Sequence, residues 1–344
     1  MRNVLLSSVL ALSFIGCSIV TEDPGSEGGM GGAALSGAPN GAPNDGPAVD
    51  DENKAPTGVP TNMQQGSLSS SSGAPAPSST GTTPPASQPC VRTTTPKAGF
   101  TQTPRTLTVG TASRKFLLVV PNDYDNCKKY PVVLALHGDG DTGTNFHSWM
   151  TFEKVSGSDA ILIYPDGTNN TWNLTREPSS NNDIQFLLAA LADVGKSFAL
   201  DTKRVYATGF SSGGFMSNAL ACQASNVIRA IASNSGGAPF NQTQKWPATG
   251  WDKCNGQSPV ATLHIHGGSD TTVPTASGRF AAQYWASVNG CGTTMTQVAS
   301  NASCKVYAGC PAGKAVEYCE VAGMIHTEWD QTPAVAWAFF KAQN

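Results

Sequence analysis

The run Gly209-Phe210-Ser211-Ser212-Gly213-Gly214 sets a serine between glycines at G-x-S-x-G spacing, directly after the strand-like RVYATG and before a helix-compatible segment. A serine at a tight strand-to-helix turn is held in strained backbone angles, and flanking glycines remove side chains that would clash there. Its Oγ is then exposed, and the chemistry open to it is nucleophilic attack on an acyl carbon. Ser211 holds that position in the motif. Ser212 is the wrong hydroxyl, but its N–H at the helix start is aimed at developing negative charge and is the expected oxyanion donor.

A serine nucleophile needs a base, and the base needs an orienting carboxylate. After a turn of this kind the order along the chain is Ser, then Asp or Glu, then His. The histidines downstream are His264, His266 and His326. His264 lies inside the apolar VATLHIHG and His266 near its end, so both are expected to pack or to hydrogen-bond. His326, in the later loop GMIHTEWD, is the expected base. Asp270 follows in HGGSD, on the edge where the sites of parallel sheets collect, and is the expected acid. Asp330, close to His326, is a weaker acid candidate. A second oxyanion donor should come from the turn after an early strand. Leu136-His137-Gly138-Asp139-Gly140 fits, with the Asp139 N–H as donor. His137 either hydrogen-bonds within that turn or lines the pocket.

The elements that must position these residues can be read from apolar patterning. RTLTVG (105–110) and RKFLLVVP (114–121) predict paired strands around a glycine turn. VVLALHG (132–138), AILIYPDG (160–167) and VATLHIHG (260–267) are continuous apolar runs, as in strands buried on both faces. RVYATG (204–209), AIASNSG (230–236) and segments near 303–308 and 315–321 are further strands. Phe146–Val155 predicts a short helix. Asn182–Leu200 predicts a longer one, with Ile184, Leu187, Leu188, Leu191, Val194 and Phe198 on one face. Helices are also expected over Ser212–Cys222, 277–289 and 333–342. Strands alternating with helices give an α/β class with a mostly parallel central sheet and helices on both faces.

The sequence has 344 residues, of which 13% are charged, and a net charge of −3. No Lys/Arg block resembles a nucleic-acid-binding arm, so a nucleic-acid partner is not expected. Ser18–Pro89 carries seven acidic residues, one lysine and no Phe, Trp or Tyr. Too little apolar surface is available there to offset the ordering entropy, so residues 18–89 are expected to be a disordered low-complexity linker. Residues 1–17 combine Arg2, a short apolar run, and Gly16 before Cys17. That predicts an export signal, and it resembles a bacterial lipoprotein signal that would leave Cys17 lipidated, though Phe14 stands where such signals carry Leu. The folded domain is expected over 90–344. Its eight cysteines, 90, 127, 222, 254, 291, 304, 310 and 319, lack C-x-x-C spacing, so disulfides rather than metal are expected. Proximity along the chain favours Cys310–Cys319 and Cys291–Cys304, with Cys90–Cys127 and Cys222–Cys254 completing the set.

Taken in order, LHGDG, YPDG…TWN, RVYATGFSSGGFMSNALAC, HIHGGSDTTVP and a late G-x-x-H resemble the secreted α/β-hydrolase esterases, the feruloyl esterase, acetylxylan esterase and polyhydroxybutyrate depolymerase group. The likeness spans roughly Thr106 to Ala342. NGC…C…YAGC…VEYCE resembles the cysteine-rich end of feruloyl esterases. The chain departs from the group at Gly323-Met324-Ile325-His326-Thr327-Glu328-Trp329, where GGH followed closely by TWP or TPP is usual. The resemblance implies an α/β-hydrolase fold preceded by a disordered tail, and a cofactor-free serine ester hydrolase. Its substrate would be polymeric: feruloyl or acetyl esters of xylan, with a polyester as the alternative. An inactive, surface-anchored binding module is the reading from another class. The expected location is extracellular or cell-envelope, with a membrane tether through a lipid on Cys17. Trp172 and Trp329 either wall an aromatic or sugar subsite or pack in the core, and Asp166 reads as part of a strand-ending turn.

Overall fold

The computed structural model describes residues 97–174 and 180–343. The expected signal 1–17 with Cys17, the expected linker 18–89, and Cys90 lie outside the described residues. Strands β1 (Phe100–Val109) and β2 (Ala112–Pro121) form a hairpin, followed by β3 (Tyr130–Leu136), α1 (Gly143–Trp149), α2 (Glu153–Ser156), β4 (Ile161–Pro165) and α3 (Asn182–Gly195). Next come β5 (Leu200–Phe210), α4 (Ser212–Gln223), β6 (Ala230–Asn234), the short β7 (Gln244–Lys245) and β8 (Asp252–Lys253), and β9 (Ala261–Gly267). The chain closes with α5 (Thr275–Asn289), β10 (Met295–Gln297), β11 (Cys304–Tyr307), β12 (Val316–Val321) and α6 (Thr332–Ala342).

Ten strands make one sheet in the order β1-β2-β4-β3-β5-β6-β9-β12-β11-β10. From β4 through β12 each neighbouring pair is parallel, and the outer pairs are antiparallel. Burial on both faces explains the unbroken apolar runs: alternate residues of β3 point to opposite cores. Val132, Leu134 and Leu136 join the core under α3, α4 and α5, whereas Val133 and Ala135 join the one under α1, α2 and α6. The α/β-hydrolase architecture expected from the sequence is therefore present, with the strand ends before α4, after β9 and after β12 on one edge. Among the described residues no helix is long and apolar enough to cross a membrane.

Two helices differ from expectation. The single helix over Phe146–Val155 is two pieces, because the chain turns at Met150–Phe152, where the Tyr164 hydroxyl bonds the Met150 carbonyl (3.1 Å) and the Phe152 amide (3.0 Å). The α3 helix stops at Gly195 rather than Leu200, since Leu200 already pairs with Tyr130 in the sheet.

Cysteine pairing is also corrected. Cys222–Cys254 forms as expected, but the other pairs are Cys291–Cys310 and Cys304–Cys319. Cys304 and Cys319 stand directly opposite each other in the β11–β12 ladder, so their side chains meet. Cys310 instead lies at the turn after β11, next to Cys291, two residues past the end of α5. Nearness in sequence misled because an antiparallel return brings distant residues face to face. Cys127 is also disulfide-bonded, and its expected partner Cys90 is outside the described residues. Peptide mapping without reduction should recover Cys304–Cys319 linked. Cys304→Ser should lower stability by about 3 kcal/mol, the chain-entropy value for a loop of this size, read as a drop in Tm; an unchanged Tm would count against a stabilising bridge.

Candidate active site

Ser211 is the single residue between β5 and α4, with φ 53° and ψ −119°. That left-handed φ is costly for serine, and the surroundings must enforce it. They do so through two glycines. A Cβ on Gly213 would lie 2.1 Å from the Leu136 carbonyl oxygen, and one on Gly209 would lie 2.6 Å from Gly213 and Leu136 backbone atoms. The first turn of α4 thus packs backbone to backbone against the end of β3. The Ser211 amide donates to the Asn234 carbonyl (2.9 Å), which ties the turn to β6 as well.

Asp270 and His326 come from the loops after β9 and β12, and backbone bonds sew these loops together. Gly268 N–H donates to Val321 O (2.8 Å) and Ser269 N–H to Met324 O (2.9 Å). His326 Nδ1 lies 2.8 Å from Asp270 Oδ2, and Nε2 lies 2.9 Å from Ser211 Oγ. A carboxylate only accepts, so Nδ1 carries the proton and Nε2 is free to accept from the serine hydroxyl. The other Asp270 oxygen accepts the Thr272 and Val273 amides, each at 3.0 Å. Burial opposes the charge on Asp270, but the bonds from His326 and Val273, with the imidazoles around it, hold the carboxyl below its usual range. The sequence-predicted Ser211, Asp270 and His326 are thus brought into one hydrogen-bonded line.

The alternatives fall elsewhere. Ser212 Oγ is buried without a partner, and Asp330 is exposed on the far side of Trp329 in sequence. His264 is fully buried, and desolvation pushes its pKa down to about 3, so it is neutral. His266 is also lowered by burial; its Nε2 donates to the Val273 carbonyl at 2.9 Å, behind Asp270.

His137, Trp172 and Trp329, for which packing and pocket lining were both open, are all buried. His137 is 0% exposed. Its Nδ1–H donates to Gly138 O (2.7 Å) and its Nε2 accepts from Gly167 N–H (2.9 Å). Trp172 donates its indole N–H to the His137 carbonyl (2.9 Å) and lies on the imidazole, with ring centroids 4.8 Å apart. These bonds clamp the turn that carries Asp139 to the loop after β4. The Asp166 carboxylate reinforces the clamp by accepting the Gly143 amide at 2.7 Å. Trp329 is buried in the core beside α6.

Sequence reading missed three features. Arg114 and Asp183 form a buried ion pair (2.6 Å), and Asp183 also accepts from Thr168 Oγ1 and the Asn173 amide; the two partners lie 69 residues apart, with no local signature. Phe210 packs on the His326 ring at 4.9 Å, and Trp149 on Phe210 at 6.1 Å. Glu328, two residues beyond His326, has both carboxyl oxygens buried. The Asn234 and Thr332 side chains, bonded to each other at 3.1 Å, lie beside it and offset only part of the cost of burying its charge.

A family profile described as Phospholipase/Carboxylesterase matches residues 175–307, which include Ser211 and Asp270. The chain is 32% identical over 184 residues to a probable feruloyl esterase C of Aspergillus niger, covering 52% of this chain and 63% of that protein. It therefore spans less than two thirds of that relative's length. A feruloyl esterase D of Neurospora crassa is 28% identical over 263 residues, 70% of this chain and 85% of the relative. Among solved structures, an acetyl xylan esterase from Aspergillus awamori superposes with a TM-score of 0.58 at 17% identity, covering 70% of this chain and 99% of that one. The likeness expected from the sequence motifs is thus found, and the shared fold with it.

Glu328 supplies a pH test. Burial raises its carboxyl to about 8, above the ordinary value near 4.3. The native state therefore holds a proton that the unfolded chain releases at lower pH. Stability conferred by the neutral acid is full below about pH 4 and lost as pH rises through the folded value, by up to about 1.4 kcal/mol per unit. Glu328→Gln should remove that slope: its Tm should match the wild type near pH 4 and exceed it by pH 8. Parallel curves would show that the carboxyl is not held neutral.

Proposed function

We propose that this chain is an exported serine esterase that hydrolyses carboxylic esters through an acyl-enzyme, with feruloyl or acetyl esters of xylan as its substrates. The observation that carries this reading is the line Asp270–His326–Ser211, joined at 2.8 and 2.9 Å. In it, His326 takes the hydroxyl proton as Ser211 attacks the ester carbonyl. Asp270, already ionised, orients the imidazole and stabilises the imidazolium that forms. The Ser212 amide, the first of α4, cannot be satisfied within the helix and serves as one oxyanion donor; the Asp139 amide, on the clamped turn, serves as the other. His326 then protonates the leaving alcohol, and water releases the acid by the same steps in reverse.

The substrate class is supported by the named activities of the relatives, and export by the buried disulfides, which persist in oxidising compartments. In this reading the lipid on Cys17 and the linker 18–89 tether the domain 90–344 at the cell envelope. A polyester depolymerase would use the same machinery, so the substrates must decide.

Methyl ferulate, acetylated xylan and a short hydroxybutyrate oligomer, assayed side by side, should give the highest kcat/KM on one of the first two. Fastest turnover of the oligomer would move the assignment to polyesters. His326→Ala should lower kcat by at least about 10²-fold with Tm unchanged, whereas His264→Ala should lower Tm. A His326→Ala enzyme keeping more than about a hundredth of the rate would refute the assigned base.

A further inference from the structure

The amino-terminal edge of the parallel sheet, opposite the catalytic edge, gathers positive charge. Lys129 precedes β3, Lys203 and Arg204 lie in the first half of β5, Arg229 precedes β6, and Lys314 precedes β12. Lys203, Arg204, Arg229 and Lys314 line a recess of about 600 Å³ together with Asp201, Thr202, Ser225 and Asn226. From Cys90 onward the chain is nearly balanced, with 19 basic and 17 acidic residues, so this is a local concentration and not a reflection of overall charge.

Most of these cations are held by neutral groups. Arg229 Nε donates to the Gln343 carbonyl (2.7 Å), Lys314 Nζ to the Pro259 carbonyl (2.7 Å) and Arg204 Nη2 to the Lys129 carbonyl (3.2 Å). Asp201, the one carboxylate among the lining residues, is engaged by Arg204 Nε at 2.7 Å. Carbonyl bonds fix the donors in place without cancelling their charge. Burial and the neighbouring Arg229 both push the Lys314 ammonium below its usual pKa, a sign that two cations face each other with too little negative charge between them.

We propose that this recess binds a uronate-bearing polysaccharide, its carboxylates on Lys203, Arg229 and Lys314 and its hydroxyls on Thr202 and Asn226. Three features select that chemistry. The Arg229 guanidinium, fixed by its bond to the Gln343 carbonyl, suits a planar carboxylate. The hydroxyl and amide side chains between the cations suit sugar hydroxyls. No lining residue is aromatic, so nucleobases have no platform on which to stack. Nor does a lipid surface fit: the large exposed apolar side chains among the described residues, Trp149, Phe280 and Ile325, all lie outside the recess.

The placement leaves the catalytic edge uncovered. Lys203 and Ser211 are eight residues apart, spanned almost wholly by β5, or roughly 26 Å at the usual rise of a strand. A polysaccharide on one edge and an ester at the other can therefore be held together. The binding does not rest on the esterase reading, since it needs no turnover and should be the same in Ser211→Ala.

Calorimetric titration of the full chain with trigalacturonate and with neutral xylotriose tests it. Trigalacturonate should bind and xylotriose should not at equal concentration, and affinity should fall as salt rises. Lys203→Gln combined with Lys314→Gln should weaken Kd about tenfold without changing hydrolysis of a small aryl ester; tenfold corresponds to about 1.4 kcal/mol. Asp201→Asn should tighten binding, a change of sign that general damage to the fold would not produce. Unaltered affinity in the double variant, or binding to phosphatidylglycerol vesicles without binding to trigalacturonate, would overturn the proposal.

Discussion

The site depends on a backbone contact that no side chain could permit. The carbonyl oxygens of Leu136 and His137 at the end of β3 lie against the first turn of α4, where Gly213 leaves no room for a Cβ. Because the two segments touch directly, the turn between β5 and α4 must be completed by one residue, and Ser211 is held at φ 53°. The same contact brings the end of β3, and with it the loop carrying Asp139, beside the free amide at the helix start. The Ser211 turn and the Asp139 loop are thus fixed by a single close approach. The strain stored in Ser211 is offset by the surrounding packing, not relieved locally.

Charge around that contact is distributed by solvation and hydrogen bonding. Asp270 remains ionised despite burial because two amides and the His326 N–H converge on it. Burial lowers both His264 and His266, and the imidazole that stands between Asp270 and Ser211 is that of His326. Glu328 is neutral for the opposite reason: burial raises its carboxyl to about 8, and the Asn234 and Thr332 side chains beside it only partly oppose that. A second carboxylate beside the His326 loop is therefore silent at neutral pH, and Asp270 acts alone as the counter-charge.

What the sequence makes legible is whatever has a local signature. The nucleophile turn, the Ser–Asp–His order and the buried strands are each written in contiguous residues, and the structure places Ser211, Asp270 and His326 together as expected. What stays hidden depends on contacts between distant segments. Nothing near Arg114 announces Asp183, and nothing in the spacing of Cys304 and Cys319 reveals that they face each other in a ladder. His137 and Trp172 look like pocket aromatics until their ring nitrogens are seen to be spent on the backbone. Residue type suggested the right polar groups there, while only packing could show that they position the loop.

The central claim is that Ser211, activated by His326, is the acylated residue. Incubation with an aryl phosphonate followed by peptide mapping by mass spectrometry tests it most directly. The account predicts a single adduct on Ser211 in the native protein, and its loss in His326→Ala. An adduct on Ser212 or another residue, or none at all in folded protein, would contradict it.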